Sequence, residues 1–157
     1  VSVYQGATEL LNTARGRFRQ LALATGKGRA RTLQLLRRFS LDSFFGNIVC
    51  GDDPHPGKPH PAGLFALCQT LGEPAEPTVM LGDSTIDIEC ARRASITAFA
   101  AGWGFSSLDA LYGVGPDAVF ESPSAFTAWM RAAPHLRRPI SLDQWAGAAP
   151  ERTGTHG

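Results

Sequence analysis

Residues 78–92 read TVMLGDSTIDIECAR. Thr78 to Leu81 form an unbroken apolar or β-branched run that stops at Gly82. Such a run reads as a strand buried on both faces. Behind it, Ser84 can cap a helix carrying apolar and small residues at helical spacing, and acidic side chains suit a helix N-terminus. Asp83 then stands at the carboxyl end of a strand, where open α/β sheets bind their ligands. Asp87 falls one turn into the helix and faces back toward its start. Two carboxylates at one strand end suit a hard cation, because Mg²⁺ is held by one or two carboxylates together with waters and substrate phosphate. The plainer reading of the same residues is a helix cap with surface charge.

Outward from this stretch, helices and strands alternate. Ala7 to Arg17 reads as a helix, Arg19 to Thr25 as a strand and Gly28 to Phe39 as a basic helix. Phe45 to Cys50 reads as a strand, followed by the loop GDDPHPGKPHP and a helix from Ala62 to Leu71 that Gly72 closes. After the strand at Thr78 to Leu81 and the helix from Ser84 to Ala94 come a strand at Ile96 to Ala100 and a short helix at Ser107 to Leu111. A strand at Asp117 to Phe120 and a helix at Ser124 to Arg131 complete the pattern. This alternation argues βαβ units and a parallel sheet, the α/β class. Right-handed crossovers place every strand's carboxyl end on one edge. The expected core is residues 1–131. From Ala132 on, Pro, Gly, Arg and Ala dominate without periodicity, so a mostly disordered tail is expected.

Bulk composition excludes some partners. The 157 residues suffice for one domain. Lys and Arg total 15 against 14 Asp and Glu, so no bulk charge favours nucleic acid. No apolar run reaches transmembrane length and no signal peptide is visible, so no membrane partner is expected. Cys50, Cys68 and Cys90 lie far apart in apolar stretches without a CxxC, which reads as reduced core thiols and a cytoplasmic setting.

Two further strand ends carry chemistry. Thr25 closes the first strand as LALAT-GKG. Its hydroxyl and the amides of Gly26 and Lys27 precede a helix N-terminus, a ready anion site. A Walker A loop is excluded by spacing, since position 21 is Leu and position 28 is Gly. Lys27, Arg29, Arg31, Arg37 and Arg38 read as a solvated helix face. Lys58 is stiffened by Pro59 and Pro61, and a rigidly presented ammonium suits a phosphate oxygen. His55 and His60 read as loop histidines, because a third clear metal ligand is missing. A hydroxyl with amides, then a lysine, then a carboxylate pair, in that order on one edge, is a set that binds a phosphoryl group and its Mg²⁺.

This ordered set resembles the haloacid dehalogenase superfamily, nearest to hydrolases of the phosphoglycolate phosphatase type. Thr25 in LALATGK is similar to the family's second motif, Lys58 in GDDPHPGKPHP to its third and Gly82-Asp83-Ser84-Thr85-Ile86-Asp87 to its fourth. The resemblance runs from about residue 3 to residue 131. It implies a three-layer, Rossmann-like core and a phosphatase acting on a small phosphorylated metabolite through an aspartyl-phosphate. Thr25, Gly26 and Lys58 would bind the phosphate, Asp83 would hold Mg²⁺, and Asp87 would ligate or orient that shell. The family's first motif, a DxD carrying the nucleophile, does not occur in this chain. The chain opens at Val1, not Met. A nucleophile outside the chain is therefore expected, on a central strand between those ending at Thr25 and Leu81, from a complementing N-terminal segment. Without that strand the neighbouring edges carry unpaired backbone groups. Ala94-Ser95 also departs from the family's Ala-Gly, where Gly serves a left-handed C-cap, at a modest cost. The alternative is a non-catalytic remnant that keeps phosphate and Mg²⁺ sites. A GDSL-type esterase using Ser84 fits poorly, because that motif opens its domain and Ser84 sits mid-chain. A phosphoacceptor receiver domain lacks its acidic pair on the first strand.

Overall fold

All strand pairs are parallel, yet the strands form two sheets instead of one. The structure, a computed structural model, describes residues 2–73, 75 and 78–132. The expected tail beyond Ala132 lies outside the described residues. The elements are α1 (Ala7–Arg17), β1 (Ala22–Ala24), α2 (Arg29–Arg38), a 3₁₀ turn (Asp42–Phe44), β2 (Asn47–Val49) and α3 (Ala62–Leu71). They continue with β3 (Val79–Gly82), α4 (Thr85–Arg93), β4 (Thr97–Ala101), α5 (Leu108–Gly113), β5 (Ala118–Phe120) and α6 (Pro123–Ala132). Among the described residues β1 pairs with β2, Ala22 opposite Asn47. β3, β4 and β5 form the second sheet in that order, with Val79 opposite Thr97 and Phe99 opposite Ala118.

β4 is the buried centre of the larger sheet. Its alternate residues serve two cores, as a strand's period of two requires. Ala98 and Ala100 face a cluster built from Leu64 and Leu67 of α3, Ile88 and Ala91 of α4 and Leu111 of α5. Phe99 faces the opposite cluster, with Phe120, Phe126 and Trp129 beside Leu10 and Ala14 of α1. There Phe126 and Trp129 stack at 5.7 Å and Phe99 meets Trp129 edge-on at 5.3 Å, geometries that add about 0.5–1.5 kcal/mol per pair beyond burial. Helices thus cover both faces of the strands.

Between β1 and β3 the layers part around a cavity of about 600 Å³. Leu21 to Ala24 form one wall and Thr78 to Leu81 the other, with α1 and α3 residues above and below. This corrects the expectation that the strand at 78–81 is buried on both faces. Val79, Met80 and Leu81 are only half-buried, and full burial begins at Gly82. The reason is the open edge toward β1.

Helix ends follow their capping residues. Gly6 before α1 and Gly72 after α3 take left-handed φ values of 84° and 67°, which cost glycine little. Ser84 caps α4 in a capping box with Asp87. Ser95 is left-handed at φ 57°. Among the described residues no helix is long and apolar enough to cross a membrane. The three cysteines are free and buried, and burial pushes the Cys90 thiol up.

Candidate functional site

The carboxyl ends of β1 and β3 are bridged by one ammonium. Lys58 Nζ donates to Asp87 Oδ1 at 2.5 Å and to the Ala24 carbonyl at 3.4 Å. It is presented by a loop in which the Lys58–Pro59 bond is cis. Asp87 is 6% exposed. Its second oxygen accepts from the Ser84 amide at 3.2 Å and the Ser84 hydroxyl at 2.9 Å. Gly82 makes room for this, since a Cβ there would overlap the Asp87 side chain. Asp87 therefore has both oxygens engaged, one on Lys58 and one on the helix cap.

Asp83 is held differently. Its Oδ2 accepts from the Phe105 amide at 3.1 Å, and its carbonyl accepts from the Ser106 amide at 2.9 Å. The loop after β4 is thereby laced to the end of β3. Gly104 permits the approach, because a Cβ would overlap the Asp83 carboxylate. Two apolar side chains flank this point in solvent: Phe105, 86% exposed, and Ile86, 47% exposed.

On the β1 side, the Thr25 amide donates to Val49 O at 2.9 Å and the Thr25 hydroxyl accepts from the Lys27 amide at 3.2 Å. The N-terminus of α2 is taken by a protein carboxylate: the Arg29 amide donates to Asp52 at 2.9 and 3.1 Å. This narrows the anion site expected from sequence to the Thr25 hydroxyl and the Gly26 amide. Beside it, the Arg29 guanidinium grips Asp53 through Nε at 3.1 Å and Nη2 at 2.7 Å, and also reaches Ile48 O at 3.0 Å. Asp53 accepts from the Cys50 amide at 2.8 Å as well. The Arg29 bond and then the Cys50 bond hold the Asp53 carboxyl below its usual range, and the same ion pair raises Arg29. The loops meet where a Cβ on Gly51 would overlap Gly26 O, and the Gly51 amide donates to Lys27 O at 2.9 Å.

The structure thus brings the three sequence-derived features to one edge, linked as Ala24, Lys58, Asp87 and Ser84. It does not bond Thr25 to Lys58. Among the described residues no group of three His, Cys, Asp or Glu side chains could hold a metal by itself. Asp83 still fits Mg²⁺, which needs one or two carboxylates when waters and phosphate fill the shell. Asp87 fits the orienting role better than the ligating one, because its oxygens are occupied. The His60 ring accepts from the Ala62 amide at 3.1 Å, a loop role. Asp52 and His55 have the three-residue spacing of an esterase dyad, but Asp52 is spent on α2, and no hydrogen bond joins Ser84 to a histidine among the described residues. Sequence reasoning missed the Arg29–Asp52–Asp53 clamp and the Gly104–Phe105 hold on Asp83. Both are contacts across more than twenty residues that no local pattern announces.

The chain is similar to known proteins in sequence and in fold. The family model described as haloacid dehalogenase-like hydrolase matches residues 1–101. Pyrophosphatase PpaX of Halalkalibacterium halodurans is 33% identical over 122 residues, covering 78% of this chain and 57% of that protein. Phosphoglycolate phosphatase of Rhodospirillum rubrum is 32% identical over 129 residues, covering 82% of this chain and 53% of its own. Among solved structures, a hydrolase from Pseudomonas syringae superposes with a TM-score of 0.71 at 27% identity, over 82% of this chain and 61% of the other. The chain spans about half the length of the curated relatives it matches. With its parallel strands, layered helices and ordered strand-end residues, the chain belongs to the haloacid dehalogenase-like hydrolases.

Proposed function

We propose that the chain forms the phosphate-binding and Mg²⁺-binding part of a phosphatase acting on a small phosphomonoester, phosphoglycolate or a similar metabolite. The nucleophilic aspartate is supplied from outside these 157 residues, by a complementing segment. No nucleic acid or membrane enters this reading. The observation that carries it is Lys58, fixed by Asp87 and Ala24 O where the ends of β1 and β3 are bridged. Relatives named for phosphatase and pyrophosphatase activity support it.

In this scheme the Lys58 ammonium and the Thr25 hydroxyl hold phosphate oxygens and offset the charge that builds on them. Asp87 keeps Lys58 aimed. Asp83 would hold Mg²⁺, which when bound supplies further charge neutralisation. A carboxylate oxygen of the supplied aspartate attacks phosphorus as the ester P–O bond breaks, and the leaving alkoxide takes a proton from solvent water. Water then hydrolyses the aspartyl-phosphate, returning the carboxylate and releasing inorganic phosphate.

The test uses the protein isolated from its native source, assayed with phosphoglycolate and Mg²⁺. Lys58→Ala is expected to lower phosphate release by about 10²–10³-fold, the usual loss for one charge-stabilising group, and Asp83→Ala to abolish it. Normal release by either variant would sink the assignment. A second reading, a non-catalytic module, draws on Asp87 being the one carboxylate paired with Lys58 among the described residues. Phosphate binding by the native protein without turnover would select it.

A further inference from the structure

Lys58 is gripped by its head, and the chain that carries it is gripped as well. Gly57 to His60 form a turn around Lys58, closed by the His60 amide, which donates to Gly57 O at 3.0 Å. Past the turn, the His60 ring accepts from the Ala62 amide at the start of α3. The His60 carbonyl is turned toward α4, where the Cys90 thiol donates to it at 3.4 Å. Among the described residues no other donor reaches that carbonyl. Cys90 is wholly buried. It stands three residues after Asp87 on the same helix, and residues three apart are neighbours on one helix face. Helix α4 therefore meets the turn twice: Asp87 takes the Lys58 ammonium, and Cys90 takes the backbone two residues on.

The plainer role for Cys90 is that of a small core residue, since it belongs to the cluster with Leu64, Ile88 and Ala91. Its bond to the turn goes beyond packing. A buried thiol is a small hydrophobe with a weak S–H donor. Burial pushes this thiol up, so the S–H is retained at neutral pH. A backbone carbonyl turned into the interior needs a donor. Alanine would fill most of the same space and leave the carbonyl without one. The turn would then be tied to α4 only through the Lys58 side chain, which is rich in rotamers. A long side chain aims reliably when both its head and its base are fixed. We propose that Cys90 is a positioning residue for Lys58: by holding the His60 carbonyl it fixes the base of the turn, so that the ammonium lies on Asp87 and Ala24 O. Cys90 itself touches no phosphate oxygen in the proposed scheme. What the aimed ammonium is for rests on the phosphatase reading, whereas the aiming needs no substrate.

The chain has two lysines, Lys27 and Lys58, and Lys27 is exposed, so it serves as an internal reference. The test labels the full 157-residue chain with ¹⁵N-lysine and measures the exchange of each side-chain ammonium with water by NMR. In the wild type Lys58 is expected to exchange more slowly than Lys27. Cys90→Ala is expected to shrink that ratio by about three- to tenfold, the loss for one hydrogen bond. Cys90→Ser, which keeps a donor, is expected to restore it to within about twofold of the wild type. Urea midpoints measured alongside separate aiming from packing: a residue that only fills space would place Ser level with Ala or below it in both readouts, because an unbonded buried hydroxyl is costly. An unchanged ratio in Cys90→Ala would overturn the proposal. So would a Cys90→Ser ratio no better than that of Cys90→Ala, or a wild-type Lys58 that exchanges as fast as Lys27. Phosphate release left normal by Lys58→Ala would sink the phosphatase reading and leave these ratios as they are, so the two failures are distinct.

Discussion

Single residues at this edge carry more than one duty, which makes their substitutions informative. Ser95 is left-handed, a conformation costing an L residue roughly 1–2 kcal/mol against almost nothing for glycine. Ser95→Gly is therefore expected to stabilise the chain by about 0.5–1 kcal/mol, after the entropy glycine adds to the unfolded chain is subtracted. A urea unfolding midpoint that fails to rise would show that the Ser95 side chain offsets its own strain. Asp53 tests electrostatics. Its folded pKa is depressed by Arg29 and the Cys50 amide, so its contribution is present above the unfolded carboxyl pKa and disappears as pH falls through the folded value. The stability gap between wild type and Asp53→Asn should be constant above about pH 5 and close below about pH 4. A gap that closes toward alkaline pH would have the wrong sign for this pairing.

At the scale of elements, local signals and long-range contacts separate what was legible from what was not. α1 and α3 match their sequence bounds, where glycines with left-handed backbone geometry mark one end of each: Gly6 opens α1 and Gly72 closes α3. β1 is shorter than the run Arg19 to Thr25. Gln20 is drawn off to Leu71 O at 3.0 Å and Arg19 to Glu73 at 3.2 Å, and among the described residues no strand lies on the open side to extend the ladder. The site reads similarly. Thr25, Lys58, Asp83 and Asp87 stand out by type and order, whereas their pairing does not. That Asp87 belongs to Lys58, and that Phe105 holds Asp83, depends on how β3, α4 and the loop after β4 pack. This last hold gives a prediction. Gly104→Ala places a methyl group where the Asp83 carboxylate lies, and overpacking of this kind costs about 1–3 kcal/mol. Urea unfolding checks it, and an unchanged midpoint would mean that the loop yields without strain. In the aromatic cluster, Phe99→Ala should cost about 3–5 kcal/mol, since Phe99 is 1% exposed and touches three rings.

At the scale of the whole molecule, the two sheets of the described residues do not pair along their facing edges. What binds across the divide should therefore stabilise it more than the same contact elsewhere would suggest. Lys58 reaches from α3's approach loop to both sides. Inorganic phosphate with Mg²⁺, seated against Lys58, Thr25 and Asp83, is expected to raise the thermal midpoint by mass action. The gain is about 2.7 kcal/mol at a ligand concentration a hundred times the dissociation constant. Lys58→Ala should abolish that rise. An undiminished rise in the variant would place the anion elsewhere.

The abutment of Gly26 and Gly51 bears on how this site can diversify. Two loops meet backbone to backbone with no side chain between them, and the Arg29–Asp53 grip locks the same junction. Neither loop can be lengthened or decorated without prying the other away. Novelty in what the edge accepts must then arise opposite, where Ile86 and Phe105 project into solvent unconstrained by any such junction. Lineages that change preference are expected to vary at those two positions while the glycines stay fixed, so a library restricted to residues 86 and 105 is the economical place to look for altered selectivity.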